Sequence, residues 1–323
     1  MLQFTGLHHV SAITKSAQQN LDFYTNVLGF RLVKKTVNQD SPSMYHLFYA
    51  DGEGSPGTEM TFFEIPVVGQ THEGTNSIST TSFRVPTDEA LHFWKERFEQ
   101  FDVAHEDITE RAGRQTLRFR DPEKQRLMLV SDEHNEGVAG GIPWKVADIP
   151  ESFAIYGLGP SYFTVANAKA TDALLTTVLH FREAGTYEAD GTSYKVYETG
   201  EGGSGAEIHV EHREDLPVER AGRGSVHHIA LRVSTEEDID AWIERLEQFG
   251  VRNSGFVDRF YFKSIYMQDP NGLTIEIASD GPGFAIDEPE DTLGEALSLP
   301  PFLENDRAII EANLKPLHTK RGE

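Results

Sequence analysis

A chain of 323 residues, 38% hydrophobic and 25% charged, is long enough for two domains of ordinary size around a real core. It has no apolar run of about 18 residues, so no transmembrane helix is expected, and MLQFTGLHHV lacks both the charged and the apolar region of a signal peptide. Zero cysteines exclude disulfides, thiolate ligands and a cysteine nucleophile, which fits a cytoplasmic protein and leaves any metal to nitrogen and oxygen, while a net charge of −23 opposes binding to nucleic acid or anionic membrane.

In chain order, a weak repeat of strand, helix and three strands organises the sequence. The first copy, 6–66, runs LHHVSAIT, the helix AQQNLDFYTNVLG, then strands near FRLVKKTVN, MYHLFYAD and MTFFEIP. The second, 77–132, has SISTTSFRVP, the helix DEALHFWKERFEQF and strands near VAHEDITER, RQTLRFRD and RLMLVSD. The third, 156–212, has YGLGPSYFTV, the helix AKATDALLTTVLHF and strands near REAGTYEAD, SYKVYET and AEIHVEH. The fourth, 225–280, has VHHIALRV, the helix TEEDIDAWIERLEQFG and strands near VRNSGFVDR, KSIYMQD and LTIEIAS. Gly29 and Gly250 stand just past two of the helices, where a left-handed residue ends a helix, and Asp269, Pro270, Asn271 and Gly272 make a tight turn into the last strand. The Gly/Pro-rich stretch 133–150 divides the chain into halves, 1–150 and 151–280. Beyond it, 281–323 reads as an extended tail with one short helix near Leu303–Leu314, draped over the body or capping a site entrance.

Paired histidines open the first and fourth copies only, so the middle copies read as structural. Side chains alternate along a strand, so neighbouring histidines face opposite ways. In VHHIALRV, His227 shares a face with the apolar Ile229, Leu231 and Val233, and His228 takes the other; in LHHVSAIT, His8 goes with Val10 and Ala12, and His9 with Ser11. His9 and His228 therefore face inward. In LTIEIASD, Glu276 alternates with the apolar Leu273, Ile275 and Ile277, and a carboxylate mid-strand is costly unless paired or bound to a metal. Two histidines and one carboxylate form the facial triad of non-haem Fe(II) sites.

These motifs resemble the vicinal-oxygen-chelate superfamily of glyoxalase, bleomycin-resistance and dioxygenase proteins, and within it the hydroquinone-type ring-cleaving extradiol dioxygenases. The resemblance is carried by the two His-His strands, YTNVLGFRLVKKTVNQD (24–40), GTEMTFFEIP (57–66), Asp258-Arg259, Tyr266 in SIYMQDPNG, and LTIEIASD followed by GPGF. It implies an α+β fold of four βαβββ units forming two cupped, barrel-like mixed sheets, with the metal inside the cup. It also implies His9, His228 and Glu276 as iron ligands, and His227, Arg259, Tyr266 and His8 as groups acting around the metal. Because the ligands come from the first and fourth units, those two are expected to form the metal-bearing barrel. Catechol-cleaving members draw theirs from the last two units, and GPSYFTVAN in the third offers no histidine. The implied activity is an Fe(II)-dependent dioxygenase, with Mn(II) or Zn(II) as alternatives, that inserts O2 into a small aromatic diol, hydroquinone or catechol. His227 is the candidate base for the phenolic proton, and Arg259 and Tyr266 the candidate donors to developing negative charge.

Two rival functions share the fold. Glu64 in MTFFEIP, aligned with Glu276, would as a fourth ligand point to a glyoxalase-like isomerase or lyase. A binding module sequestering an aromatic compound is the other, though it has no use for three metal ligands. The remaining histidines, His46 among them, have no partner at ligand spacing. A homo-oligomer is a possible state of assembly.

Overall fold

The computed structural model describes residues 2–319, so the last four residues of the segment 281–323 lie outside it. The first unit comprises β1 (Leu7–Thr14), α1 (Ala17–Asp22, prolonged by a π turn over Phe23–Val27), β2 (Arg31–Asn38), β3 (Ser41–Ala50) and β4 (Glu59–Glu64). The second comprises β5 (Ser77–Val85), α2 (Asp88–Gln100), β6 (Thr109–Arg111), β7 (Arg114–Arg120) and β8 (Arg126–Ser131). The third comprises β9 (Leu158–Val165), α3 (Ala168–Ala173, with a π turn over Leu174–Val178), β10 (Arg182–Ala189), β11 (Thr192–Glu198) and β12 (Glu207–His212). The fourth comprises β13 (Val226–Val233), α4 (Glu236–Gln248), β14 (Val257–Asp258), β15 (Lys263–Gln268) and β16 (Thr274–Ser279).

Local chemistry explains the helix ends. Thr235 caps α4 through a reciprocal pair with Asp238, and Thr87 caps α2 by accepting from the Ala90 amide. Gly29 and Gly250 take φ of +78° and +68°, the left-handed conformation that stops a helix without a Cβ clash. Each helix lays an apolar stripe on its sheet; Ile239, Trp242 and Leu246 of α4 are buried, as are Leu91, Trp94 and Phe98 of α2.

The strands form two mixed eight-stranded sheets, β14-β15-β16-β13-β1-β4-β3-β2 and β10-β11-β12-β9-β5-β8-β7-β6. The fold is therefore α+β, four βαβββ units in two curved sheets. One sheet joins the first and fourth units through the antiparallel β1–β13 seam, and the other joins the second and third through β5–β9. Neither sheet is confined to one half of the chain, so the linker 133–150 separates units without separating sheets.

The β1–β13 seam is irregular at both histidine pairs. From Leu7↔Leu231 to Val10↔Ile229, β1 advances three residues against two, so one residue within His8–His9 is extra. From Ser11↔His228 to Ala12↔Val226, β13 advances two against one, and His227 is the bulged residue. Strict alternation, which sends His8 and His227 to the helix-covered face, fails here because a bulge resets the parity.

Over its described residues the tail runs along the edge strand β2 and lines no part of the cavity in the first sheet. The Ser298 amide donates to the Lys35 carbonyl, Leu299, Leu303 and Ile310 pack on Val37, and the final helix, α5, is Arg307–Asn313, shorter than the sequence suggests because Pro301–Asp306 form a 3-10 turn.

Candidate metal centre

Inside the first cup lies a cavity of about 370 Å³, at the small end of the range for small-molecule sites. At its floor three donor atoms converge. His9 Nε2 and His228 Nε2 are 3.2 Å apart, and Glu276 Oε2 lies 3.1 Å from the first and 2.9 Å from the second. All three residues are buried. An octahedral metal with bonds of about 2.1 Å sets neighbouring donors about 3.0 Å apart, which is the size of this triangle.

Hydrogen bonding fixes which nitrogen is bare. Among the described residues the partner of His8 Nε2 is the Ser279 carbonyl at 3.1 Å, so that nitrogen carries the proton. His8 Nδ1 must then accept from His9 Nδ1, 3.0 Å away, and His9 Nε2 is left with its lone pair in the triangle. Likewise, His228 Nδ1 lies 2.7 Å from His227 Nδ1; when His228 keeps Nε2 bare, His227 Nδ1 is the acceptor and His227 Nε2 bears the proton. Glu276 Oε1 accepts from Ser264 Oγ at 2.5 Å, whereas Oε2 has no hydrogen-bond partner among the described residues. Two lone pairs and an orphaned carboxylate oxygen aimed at one point fit a divalent cation, since without one each buried acceptor faces only other acceptors.

The electrostatics agree. Burial raises the Glu276 carboxyl, but His9 and His228, when either carries a proton toward it, outweigh burial and hold it well below the usual carboxylate range; a cation in the triangle would take that proton's place. Burial lowers His228 to about 4 and His8 to about 3, so both are neutral near pH 7. A second set of nearby donors, His8, His9 and Glu59, is less suited to a metal. Both His8 nitrogens are engaged, and burial, with Asp51 and Asp280 nearby, raises Glu59 well above the usual carboxylate range, which disfavours the charged form a metal would need.

The other expected residues fall in different places. Tyr266 sits opposite Glu276 in the β15–β16 ladder and lines the cavity, and its hydroxyl accepts from Arg259 Nε at 3.0 Å. Arg259 also lines the cavity, tied at 3.1 Å to Asp40 across the mouth. Exposed His227 lines it too. His8 does not; it packs beside the wall residue Phe262, with ring centroids 5.4 Å apart, and reaches the site only through His9.

Glu64 is outside the site. It pairs with Thr14 three residues past Thr61, and its Oε1 accepts from the Ala17 amide at 2.9 Å, at the start of α1. The true counterpart of Glu276 is Thr61: Glu276 pairs with Ala230, two residues after His228, and Thr61 pairs with Ser11, two after His9. The fourth ligand position thus holds a hydroxyl, hydrogen-bonded to Ser11 Oγ at 2.7 Å and His46 Nε2 at 3.0 Å. Glu64→Ala is accordingly expected to leave metal affinity unchanged while costing about 1 kcal/mol of stability through the lost helix-terminal acceptor. Metal titration paired with urea unfolding checks it, and weakened metal binding would count against this placement.

His46 was set aside on sequence spacing yet lines the cavity, because a wall partner two strands away leaves no spacing signal. The second cup is filled instead. There Arg114 grips Glu207 through two bonds of 2.7 and 2.6 Å, Glu207 meets His209 at 2.9 Å, and Tyr187 closes on His209 at 3.0 Å.

The profile of the Glyoxalase/Bleomycin resistance protein/Dioxygenase superfamily matches residues 6–129 and 162–277. The chain is 52% identical to the Bacillus subtilis protein named "Putative ring-cleaving dioxygenase MhqA", over 98% of this chain and 100% of that one. It is 30% identical to the chlorohydroquinone/hydroquinone 1,2-dioxygenase of Sphingobium indicum, over 93% of this chain and 92% of the other. A crystal structure of a Bacillus subtilis protein described as a "putative dioxygenase" superposes with a TM-score of 0.91 at 34% identity, covering 100% of both chains. With a metal-compatible triad in one cup and relatives of this kind along its whole length, the chain belongs to the Glyoxalase/Bleomycin resistance protein/Dioxygenase superfamily and, within it, to the ring-cleaving dioxygenases.

Proposed function

We propose that this enzyme binds Fe(II) through His9, His228 and Glu276 and opens the ring of a hydroquinone with O2. The observation that carries the reading is the three-donor triangle with Thr61 in the fourth ligand position, which leaves a metal's remaining positions to substrate and O2. A glyoxalase-like isomerase would need a fourth carboxylate there, and Glu64 serves α1 instead. The hydroquinone reading over the catechol one rests on the 30% identity to the Sphingobium enzyme and on ligands contributed by the first and fourth units.

Bound Fe(II) would supply adjacent sites for a phenolate oxygen and O2 and a path for electrons between them. The chain's own residues do the rest. Two neutral imidazoles and one carboxylate leave a divalent ion with a net positive charge, which favours the substrate as its anion. Phe63, Phe48, Phe262 and Ile13 form apolar walls that hold the ring and exclude water. Because Arg259 Nε donates to the Tyr266 oxygen, the Tyr266 proton is free for an oxygen in the cavity, and burial with Glu276 nearby raises that hydroxyl so that it stays protonated. His227, expected as the base, acts in this arrangement as a donor, since ligation through His228 Nε2 commits His227 Nδ1 to accepting and leaves a proton on Nε2.

The test is anaerobic loading with Fe(II), then oxygen-electrode traces with hydroquinone and with catechol. Uptake with hydroquinone that vanishes in His228→Ala is the expected outcome. Uptake with catechol alone would reverse the substrate choice, and no uptake with either ring would end the dioxygenase reading for this protein.

A further inference from the structure

The wall facing the metal triad belongs to the first unit and carries two titratable groups, Asp40 at the mouth, paired with Arg259, and His46. His46 on β3 sits between two phenyl rings, Phe48 and Phe63, each with its centroid 4.1 Å from the imidazole. Its Nε2 is held 3.0 Å from Thr61 Oγ1, which is itself tied to Ser11 at 2.7 Å. The ring is therefore fixed in plane and rotation by three neighbours. Its Nδ1 has no hydrogen bond among the described residues, although the residue lines the cavity and is only partly exposed. That nitrogen is accessible from the cavity, where a polar group of a ligand can meet it.

We infer that His46 binds the substrate oxygen farthest from the metal and is a determinant of para-diol recognition. The inference rests on the proposed function, since it takes one ring oxygen to lie at the metal. With that end of the ring at His9, His228 and Glu276, the other end points away from the triad, toward the half of the cup where His46 is the imidazole on the wall. A phenolic hydroxyl both donates and accepts, so it satisfies Nδ1 in either tautomer. Burial, then the nearby His9 and His228, push His46 well below the usual histidine value, so it meets the substrate neutral. The position has a counterpart in the fourth unit that makes the same kind of bond with one polar atom fewer. Thr61 opposes Phe48 as Glu276 opposes Tyr266, so the residue matching His46 is the buried Ser264, whose Oγ bonds Glu276 as His46 Nε2 bonds Thr61. His46 differs from Ser264 in carrying a second polar atom, Nδ1, beyond the one committed to the neighbouring strand, and that atom is left for a ligand. The two phenyl rings pack on either side of the imidazole and hold it in place.

The experiment is anaerobic calorimetric titration of the Fe(II)-loaded enzyme with hydroquinone and with phenol, which lacks the far hydroxyl. Wild type, His46→Leu and His46→Gln are compared. The expected result is a wild-type preference for hydroquinone over phenol that falls about tenfold in His46→Leu, with phenol affinity unchanged, and that is partly restored in His46→Gln by its amide. Equal weakening for both ligands, or an unchanged preference, would overturn the inference. Failure of the wild type to bind either ring would instead strike the proposed function, so the two failures are distinguishable. His46→Leu unfolding is read separately from its thermal melt, and in that case His46→Gln against wild type decides: an unchanged preference overturns the inference, and a reduced one supports it.

Discussion

Replacing Glu276 with glutamine is expected to abolish Fe(II) binding and O2 uptake together while leaving the metal-free protein at least as thermostable as the wild type. The carboxylate is fully buried, and its Oε2 faces the bare nitrogens of His9 and His228 at 3.1 and 2.9 Å. Without a cation these are three acceptors pointed at one another. A glutamine keeps an oxygen for Ser264 Oγ and turns an NH2 toward the two imidazoles, so each contact becomes a donor–acceptor pair. The substitution therefore removes a buried charge and two repulsions from the apo state, but also one of three metal ligands. Metal affinity should fall by more than the roughly 10- to 100-fold that follows loss of a group hydrogen-bonded behind a ligand. In a melt with Fe(II) at a hundred times its dissociation constant, the wild type gains about 2.7 kcal/mol, whereas the variant gains nothing. A variant that retains stoichiometric iron would sink the assignment of Glu276. A variant much less stable than apo wild type would sink the account of opposed acceptors.

Ending the chain after Asp280 is expected to destabilise the whole protein, with turnover lost through unfolding and not through a changed KM. Lys34 is fully buried in β2, and among the described residues its ammonium's hydrogen-bond partners all lie in the tail, Asp287 at 2.7 Å, Glu288, the Phe284 carbonyl at 3.0 Å and Ser298 at 3.5 Å, with the Tyr261 ring 4.9 Å away. Removing the partners of a buried ion costs about 3–5 kcal/mol, a large share of the roughly 5–15 kcal/mol that holds a domain together. The deletion also strips Phe284 and Leu293 from Val33 and Phe48, and unties Arg31 from the Glu290 carbonyl at 2.6 Å. A drop in melting temperature of roughly 10 °C is the expected scale. Adding Lys34→Met to the shortened chain removes the stranded charge and should recover part of the loss. No described residue of the tail lines the cavity, so any surviving folded fraction should bind substrate with wild-type affinity. A truncated protein as stable as the full chain would show that Lys34 is satisfied elsewhere.

How much of this was legible in the residues differs from feature to feature. The helices were plain because capping side chains and the following glycines are local signals, as at Thr235–Asp238 and Gly250. His9, His228 and Glu276 could be singled out because alternation along a strand is a property of the backbone, and each stood on the polar face of an otherwise apolar strand. His8 and His227 were misplaced because a bulge exists only where two strands meet with unequal counts. Those counts are set by hydrogen bonds between residues more than two hundred apart in the chain. The Glu64 alignment failed for the same reason: matching FFEIP to TIEIA by eye slips the register by three residues, and the ladders, not the letters, identify Thr61 as the equivalent of Glu276.

By itself, then, the sequence determined which elements form, which face of each is apolar, and which side chains are chemically able to hold a metal, because these follow from local backbone geometry and residue type. The tertiary structure alone decided which nitrogen of each histidine is bare, which residue fills the fourth ligand position, what the tail neutralises and that His46 joins the cavity wall. Each of those depends on a partner brought from a distant strand, and only the packed sheet sets that distance.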